Sequence, residues 1–257
     1  MTRVINTRPR EQAPALRDAL RAAGYESVEV PLVELTLIDE ALPILRKLSD
    51  ALYDGVLLSS PNLLPLLRAA GESVPAAWLA KPWYLIGSRS RPDVEALGAK
   101  VAFVPAKASL NGFLHEFPVQ GTQGGLRLLH PCSAKTRLEP SLFAARGINV
   151  HNMAVYEPRL PQGSAPLLEA AWADARAILF ASGSAVHHFF AASPRRGRDL
   201  ALGEGPFPVA IGESTARALR MYGVERFAQC ATADNAGFVE ALRRALPENP
   251  RPSENTP

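Results

Sequence analysis

Short apolar runs recur along this chain, and each is followed by a small-residue turn and then a stretch with apolar positions at helical spacing. A run that gives way to a helical stripe is the pattern of strand, turn and helix in a parallel sheet. Six such units stand out. They predict strands over Val4–Asn6, Gly55–Ser59, Tyr84–Ile86, Arg127–His130, Ala177–Ala181 and Val209–Ile211, each followed by a helix. Alternation this regular predicts an α/β fold.

The first three units resemble the last three. ALRDALRAAGYESVEVPLVE aligns with LEPSLFAARGINVHNMAVYE and places Gly24 on Gly147. DGVLLSSPNLLPLL aligns with RAILFASGSAVHHFF and places Ser60 on Ser182. The segment from Tyr84 to Phe117 aligns with that from Val209 to Leu242 and places Gly87 on Gly212. Three matches in order, at nearly constant separation, indicate an internal duplication that yields two similar doubly wound parallel-sheet domains. The halves could stand in tandem, divided near Gly121 to Gly125, or the chain could leave one domain early, build the second and return. Pro31 and Pro43 flank one possible crossing and Pro158 and Pro161 mark another, because proline suits extended linkers. The pattern alone leaves both arrangements open.

A length of 257 residues also favours two domains over one. Hydrophobic residues make up 47% and charged residues 21%, the balance of a globular protein. The end of the chain, residues 248–257, is Pro, Asn and Glu rich and is expected to be disordered. The formal charge of +3 sets 28 cationic residues against 25 acidic ones, with no basic block interleaved with aromatics, so nothing calls for nucleic acid. Cys132 and Cys230 lack metal or redox spacing and read as free thiols in a reducing compartment. No signal peptide or membrane-length apolar run is present, which places the expected location in the cytoplasm, away from membranes.

Hydroxyl residues mark every strand-to-helix turn: Thr7, Ser60, Ser88 with Ser90, Ser133 with Thr136, Ser182 with Ser184, and Ser214 with Thr215. One explanation is structural, since Ser and Thr are preferred helix N-caps. Ser60-Pro61 would place proline at the first helical position, and Ser90 to Asp93 and Thr136 to Glu139 read as capping boxes. The other explanation is a site. In open α/β sheets, ligands bind beyond the carboxyl ends of the strands, where helix N-termini offer free N–H groups and partial positive charge. Arg8, Arg10, Arg89, Arg91, Lys135 and Arg137 stand in or beside the same turns, so the expected ligand is anionic.

Dinucleotide, P-loop and nucleophile-elbow motifs are missing, and no serine has a base placed beside it by any motif. The histidines are His115, His130, His151 and the pair His187-His188, and helix neighbours point about 100° apart rather than converging on an ion. Neither a metal nor an organic cofactor is expected.

Thr7-Arg8-Pro9, an amphipathic helix, Gly24 and then Val-Pro31-Leu-Val resemble the opening of uroporphyrinogen-III synthases. Asp54 to Ser60 is similar to that family's strand ending in a Ser turn. Ile86-Gly87 is similar to the start of its Gly-x-x-Thr turn, with Ser90 in place of Thr. Arg137, Gly147 and Val155-Tyr156 match its Arg, Gly and Tyr landmarks, and Ile211-Gly212-Glu-Ser-Thr215-Ala-Arg-Ala-Leu is the nearest match. The turn before Arg137 departs from it, reading Pro-Cys-Ser-Ala-Lys-Thr where the family has a Gly-rich loop.

The resemblance covers about residues 3–246 and implies two α/β domains joined by a two-stranded linker. It favours the interleaved arrangement: 1–35 with 161–247 as the first domain, 36–160 as the second, and linkers near 31–40 and 155–161. It also implies a monomer that uses no cofactor, takes hydroxymethylbilane as its small-molecule substrate and makes uroporphyrinogen III in the cleft. Contact with the preceding pathway enzyme would be transient. Tyr156 becomes the candidate general acid. Thr7, Arg8, Ser60, Ser88, Ser90, Arg137, Ser182, Ser184, Ser214 and Thr215 become candidates for substrate binding. A non-catalytic two-lobed module closing on an anionic metabolite fits the same fold, because fold does not settle function.

Overall fold

The computed structural model describes residues 1–41, 43–44, 52–118 and 125–246. The tail 247–257 and glycines 121 and 124 of the predicted dividing stretch lie outside the described residues. Eleven strands are seen among the described residues: β1 Thr2–Asn6, β2 Tyr25–Glu29, β3 Glu34–Leu37, β4 Gly55–Leu58, β5 Trp83–Leu85, β6 Val101–Phe103, β7 Leu126–Ser133, β8 Ile148–Arg159, β9 Ala177–Phe180, β10 Phe207–Ala210 and β11 Ala228–Gln229. The six expected strands appear as β1, β4, β5, β7, β9 and β10. The apolar pattern did not mark β2, β3, β8 and β11, whose exposed polar positions break up any apolar run, nor β6, which is only three residues long.

The chain forms two compact units, Leu35–Pro158 and the remainder on either side of it, Met1–Glu34 with the chain from Arg159. In the first-begun unit the sheet order is β11-β10-β9-β1-β2, with every pairing parallel. In the other it is β3-β8-β7-β4-β5-β6, parallel from β8 to β6. The sequence alignment sets β2 on β8, β9 on β4 and β10 on β5. These matched strands hold matching places in the two sheet orders.

Both sheets are covered on both faces, which is why their strands read as continuous apolar runs. In the second unit Val56, Leu58, Leu85, Leu129 and Val155 pack with Leu63, Leu64, Leu67, Trp78 and Val94 from helices on one face. Their neighbours Leu57, Leu128, Ile148 and Val150 pack with Phe113, Phe117 and Phe143 on the other. Successive strand residues point to opposite faces, so alternate positions feed separate cores. In the first unit Val4, Ala177, Leu179 and Val209 pack with Leu16, Leu20, Phe238 and Leu242. There Phe180 meets Phe189 edge-on at 5.5 Å between ring centroids, and Trp172 stacks on Phe189.

One close approach recurs in both units. Ser109 caps the helix Leu110–Glu116 by accepting from the Gly112 N–H at 3.0 Å, and Asp234 caps Asn235–Ala245 by accepting from the Gly237 N–H at 2.7 Å. A Cβ on Gly112 would strike the carbonyl oxygen of Lys107, and one on Gly237 that of Thr232. Glycine is required at both places by backbone proximity. Gly237→Ala should therefore cost about 1–3 kcal/mol in urea unfolding. Gly183→Ala, whose Cβ would meet Ala218 at an ordinary 3.6 Å, should hold its stability or gain up to about 1 kcal/mol. Equal effects at the two positions would contradict the steric account.

Candidate active site

Parallel pairing puts the carboxyl ends of neighbouring strands on one rim, and the predicted site residues follow the strands there. In the first unit Thr7, Ser182 and Thr215 follow the adjacent strands β1, β9 and β10. Thr7 is wholly buried and its hydroxyl donates to the Leu179 carbonyl at 2.6 Å, tying β1 to β9. Ser182 caps Gly183–Ala192 by accepting from the Ala185 N–H at 3.2 Å. Half-buried Ser184 and exposed Ser214 sit in the first turns of Gly183–Ala192 and Glu213–Met221.

Two groups on this rim are left over. The Thr215 hydroxyl is wholly buried without a hydrogen-bond partner among the described residues, and the buried Nε of Arg8 likewise has none. Arg8 lies over the Phe238 ring at 5.8 Å, and burial pushes its pKa down from the ordinary value while the Cys230 sulfur acts the other way. Unmade hydrogen bonds of this kind are unfavourable until a ligand supplies the partner.

In the second unit Tyr156 lies on β8, only 3% exposed, packed against the cluster that includes Val155 and Leu129. Burial raises the pKa of its phenol, the Ser60 hydroxyl opposes that rise, and Cys132 adds to it. A phenol so placed stays a proton donor at neutral pH. Ser60 and buried Ser90 lie at the ends of β4 and β5, whereas Ser88 and Arg137 are exposed. Both cysteines are free and buried, and burial pushes the Cys230 thiol up to about 11.

Capping explains fewer hydroxyls than the sequence suggested. The helix after β4 begins at Leu63 with Asn62 as its N-cap, so Pro61 is not the first helical residue; Ser60 instead accepts from the Asn62 N–H at 3.3 Å. Neither predicted capping box forms, because Ser90 makes no side-chain cap bond and the helix Pro140–Ala144 begins after Glu139, away from Thr136. Ser182 alone among the candidate hydroxyls bonds a helix N-terminus as a cap.

The expectation that no serine has a partnered base is also corrected. Ser59 lies 2.7 Å from Nε2 of His130, and Nδ1 of His130 lies 2.7 Å from Oδ1 of Asn152. These residues come from the residue just after β4, from β7 and from β8, and only the sheet order brings them together. Among the described residues no group of three or more His, Cys, Asp or Glu side chains could hold a metal ion, and no helix is long and apolar enough to cross a membrane.

The family model described as "Uroporphyrinogen-III synthase HemD" matches residues 14–240. The chain belongs to the uroporphyrinogen-III synthase family. It is similar to the chloroplastic uroporphyrinogen-III synthase of Oryza sativa subsp. japonica, 25% identical over 254 residues that cover 95% of this chain and 80% of the relative. It is also similar to that of Synechococcus elongatus, 24% identical over 62% of this chain and 61% of the relative. Its fold matches the Helicobacter pylori 26695 uroporphyrinogen-III synthetase at a TM-score of 0.62 and 15% identity, covering 96% of this chain and all of that one. A mutant uroporphyrinogen III synthase of Thermus thermophilus matches at 0.58 and 17%, covering 97% and 100%. These names agree with an enzyme rather than a binding module.

Within this synthase family member, Tyr156 makes a testable donor. Since burial raises its pKa, the phenol should hold its proton beyond the ordinary tyrosine value of about 10. The difference in tyrosinate absorbance between wild type and Tyr156→Phe, followed against pH, should rise only above that value. A transition well below pH 10 would remove Tyr156 as a stable donor.

Proposed function

We propose that this protein is a uroporphyrinogen-III synthase. It closes hydroxymethylbilane into uroporphyrinogen III, with inversion of the last pyrrole ring and loss of water, in tetrapyrrole and heme biosynthesis. It is then a lyase that cyclises its substrate without a cofactor. The family match across residues 14–240 carries this reading, and the buried phenol of Tyr156 supplies a fitting donor.

The reaction needs a hydroxyl to leave, a cationic azafulvene to form and a substituted pyrrole carbon to attack it. The resulting spiro intermediate reopens and recloses with the last ring turned over. Much of that reactivity belongs to the substrate. The protein contributes orientation, worth about 7–11 kcal/mol in favourable cases, and one proton donor at the leaving hydroxyl, worth about 10²–10⁴-fold. Tyr156 takes that role. Ser60, Ser88, Ser90 and Arg137, together with Thr7, Arg8, Ser182, Ser184, Ser214 and Thr215, hold the eight substrate carboxylates with the backbone N–H groups of the same turns. The Thr215 hydroxyl and Arg8 Nε are the buried groups of this set without a hydrogen-bond partner among the described residues. In this reading the enzyme is a cytoplasmic monomer, in transient contact with the enzyme that supplies its labile substrate.

Freshly made hydroxymethylbilane should yield the type III isomer, whereas spontaneous closure gives type I. Tyr156→Phe should lower single-turnover rates roughly ten- to a thousandfold with type III product retained. Thr215→Val should leave unfolding free energy within about 0.5 kcal/mol, since the hydroxyl it removes makes no internal bond, and should slow turnover less than Tyr156→Phe. Tyr156→Phe at the wild-type rate beside a nearly inactive Thr215→Val would transfer the donor role to the threonine. Chelation followed by dialysis should leave the rate unchanged, and a loss restored by a metal ion would contradict the cofactor-free reading.

A further inference from the structure

The proposed cyclisation moves two protons, and Tyr156 accounts for one. The leaving hydroxyl takes a proton and departs as water, while the pyrrole carbon that finally closes the ring must lose its hydrogen. That second transfer needs an acceptor. The hydrogen bonds around His130 determine which group could be one.

Asn152 is held on both sides of its amide by one residue: Leu138 N–H donates to Oδ1 at 3.0 Å and Nδ2 donates to the Leu138 carbonyl at 2.7 Å. This fixes which end of the amide is oxygen. Oδ1 also faces His130 Nδ1 at 2.7 Å, and an oxygen can only accept, so the imidazole proton sits on Nδ1. Nε2 then carries the lone pair. The Ser59 hydroxyl, 2.7 Å away, donates to it. The direction of the whole chain, from Ser59 through His130 to Asn152, follows from the Leu138 backbone.

His130 is wholly buried, and burial pushes its pKa down while the Asn152 bond opposes that shift, so the ring is neutral and free to accept. Ser59 is half-buried, at the carboxyl end of β4 next to Ser60, whose hydroxyl acts on Tyr156. With its own proton committed to Nε2, the Ser59 oxygen keeps lone pairs that can accept.

We propose that Ser59 is the proton-accepting hydroxyl of the ring-closing step, with His130 as the positioning residue that takes up the serine proton; this rests on the synthase reading above. As the pyrrole carbon–hydrogen bond breaks, its electron pair restores the aromatic ring and the proton passes to Ser59 Oγ. The serine proton moves to His130 Nε2, and Asn152 Oδ1 stabilises the imidazolium through Nδ1–H. Return of that proton through Ser59 to water resets the relay, and Tyr156 is reprotonated from water. The substrate loses one hydroxyl and one hydrogen, and no other reactant is consumed.

The test has two independent arms. In ¹⁵N-labelled full-length protein at neutral pH, the His130 ring should show a protonated Nδ1 and an unprotonated Nε2; a proton on Nε2 would reverse the chain and overturn the proposal. On fresh hydroxymethylbilane, Ser59→Ala should lower kcat roughly ten- to a hundredfold, with KM within about threefold, and Ser59→Thr should recover most of the loss. Circular dichroism and urea unfolding confirm that the variants compared are folded, and because Ser59 is half-buried neither change should prevent folding. Wild-type kcat in Ser59→Ala, or a loss confined to KM, overturns the relay. If wild-type protein yields only the type I ring, the synthase reading itself has failed, and the relay falls with it whatever the His130 tautomer.

Discussion

Parallel pairing of the strands is the constraint on which the rest depends. A strand that must lie parallel to its neighbour cannot turn straight back, so the chain crosses over the sheet and every carboxyl end emerges on the same rim. The crossovers cover both faces, which explains why Leu57 and Leu58, consecutive in β4, are both buried yet belong to different cores. Thr7, Ser182 and Thr215, far apart in sequence, become neighbours for the same reason. So do Ser59, His130 and Asn152.

Polar groups on these rims fall into two kinds. Some are spent on the fold: Thr7 ties β1 to β9, Ser182 caps a helix and Asn152 holds the Leu138 turn on β8. Others are held by the fold but make no hydrogen bond among the described residues, as with the Thr215 hydroxyl and Arg8 Nε. A buried polar atom without a partner costs free energy, which is why the second kind enters the proposed substrate-binding set. Tyr156 stands apart from both, since its burial serves packing and also keeps the phenol protonated.

A cofactor-free cyclisation suits this division. When the substrate supplies the reactive carbons and the leaving group, the protein has to hold the chain ends and manage two protons. A buried phenol and a hydroxyl backed by a neutral imidazole are the groups proposed for those tasks. Burial is the leading influence on each: it disfavours phenolate and imidazolium alike, so the phenol keeps its proton and the imidazole starts unprotonated.

The sequence by itself determined the α/β class, six strands and the family to which the chain belongs, because apolar runs, turn glycines and ordered landmarks are local. Gly112 and Gly237, aligned in sequence, even occupy the same steric niche. What local reading missed was equally physical. The strands β2 and β11 carry exposed polar residues that interrupt an apolar run, and β6 is only three residues long, so they are recognised by their ladders. The capping boxes at Ser90 and Thr136 have the right spacing, but helix starts are set where the chain can pack, and both helices leave those side chains unbonded. His130 looked like the end of a short strand. Only tertiary structure decided that it has Ser59 on one side and Asn152 on the other, because hydrogen bonds across three parallel strands depend on sheet order and register, which no spacing along the chain encodes.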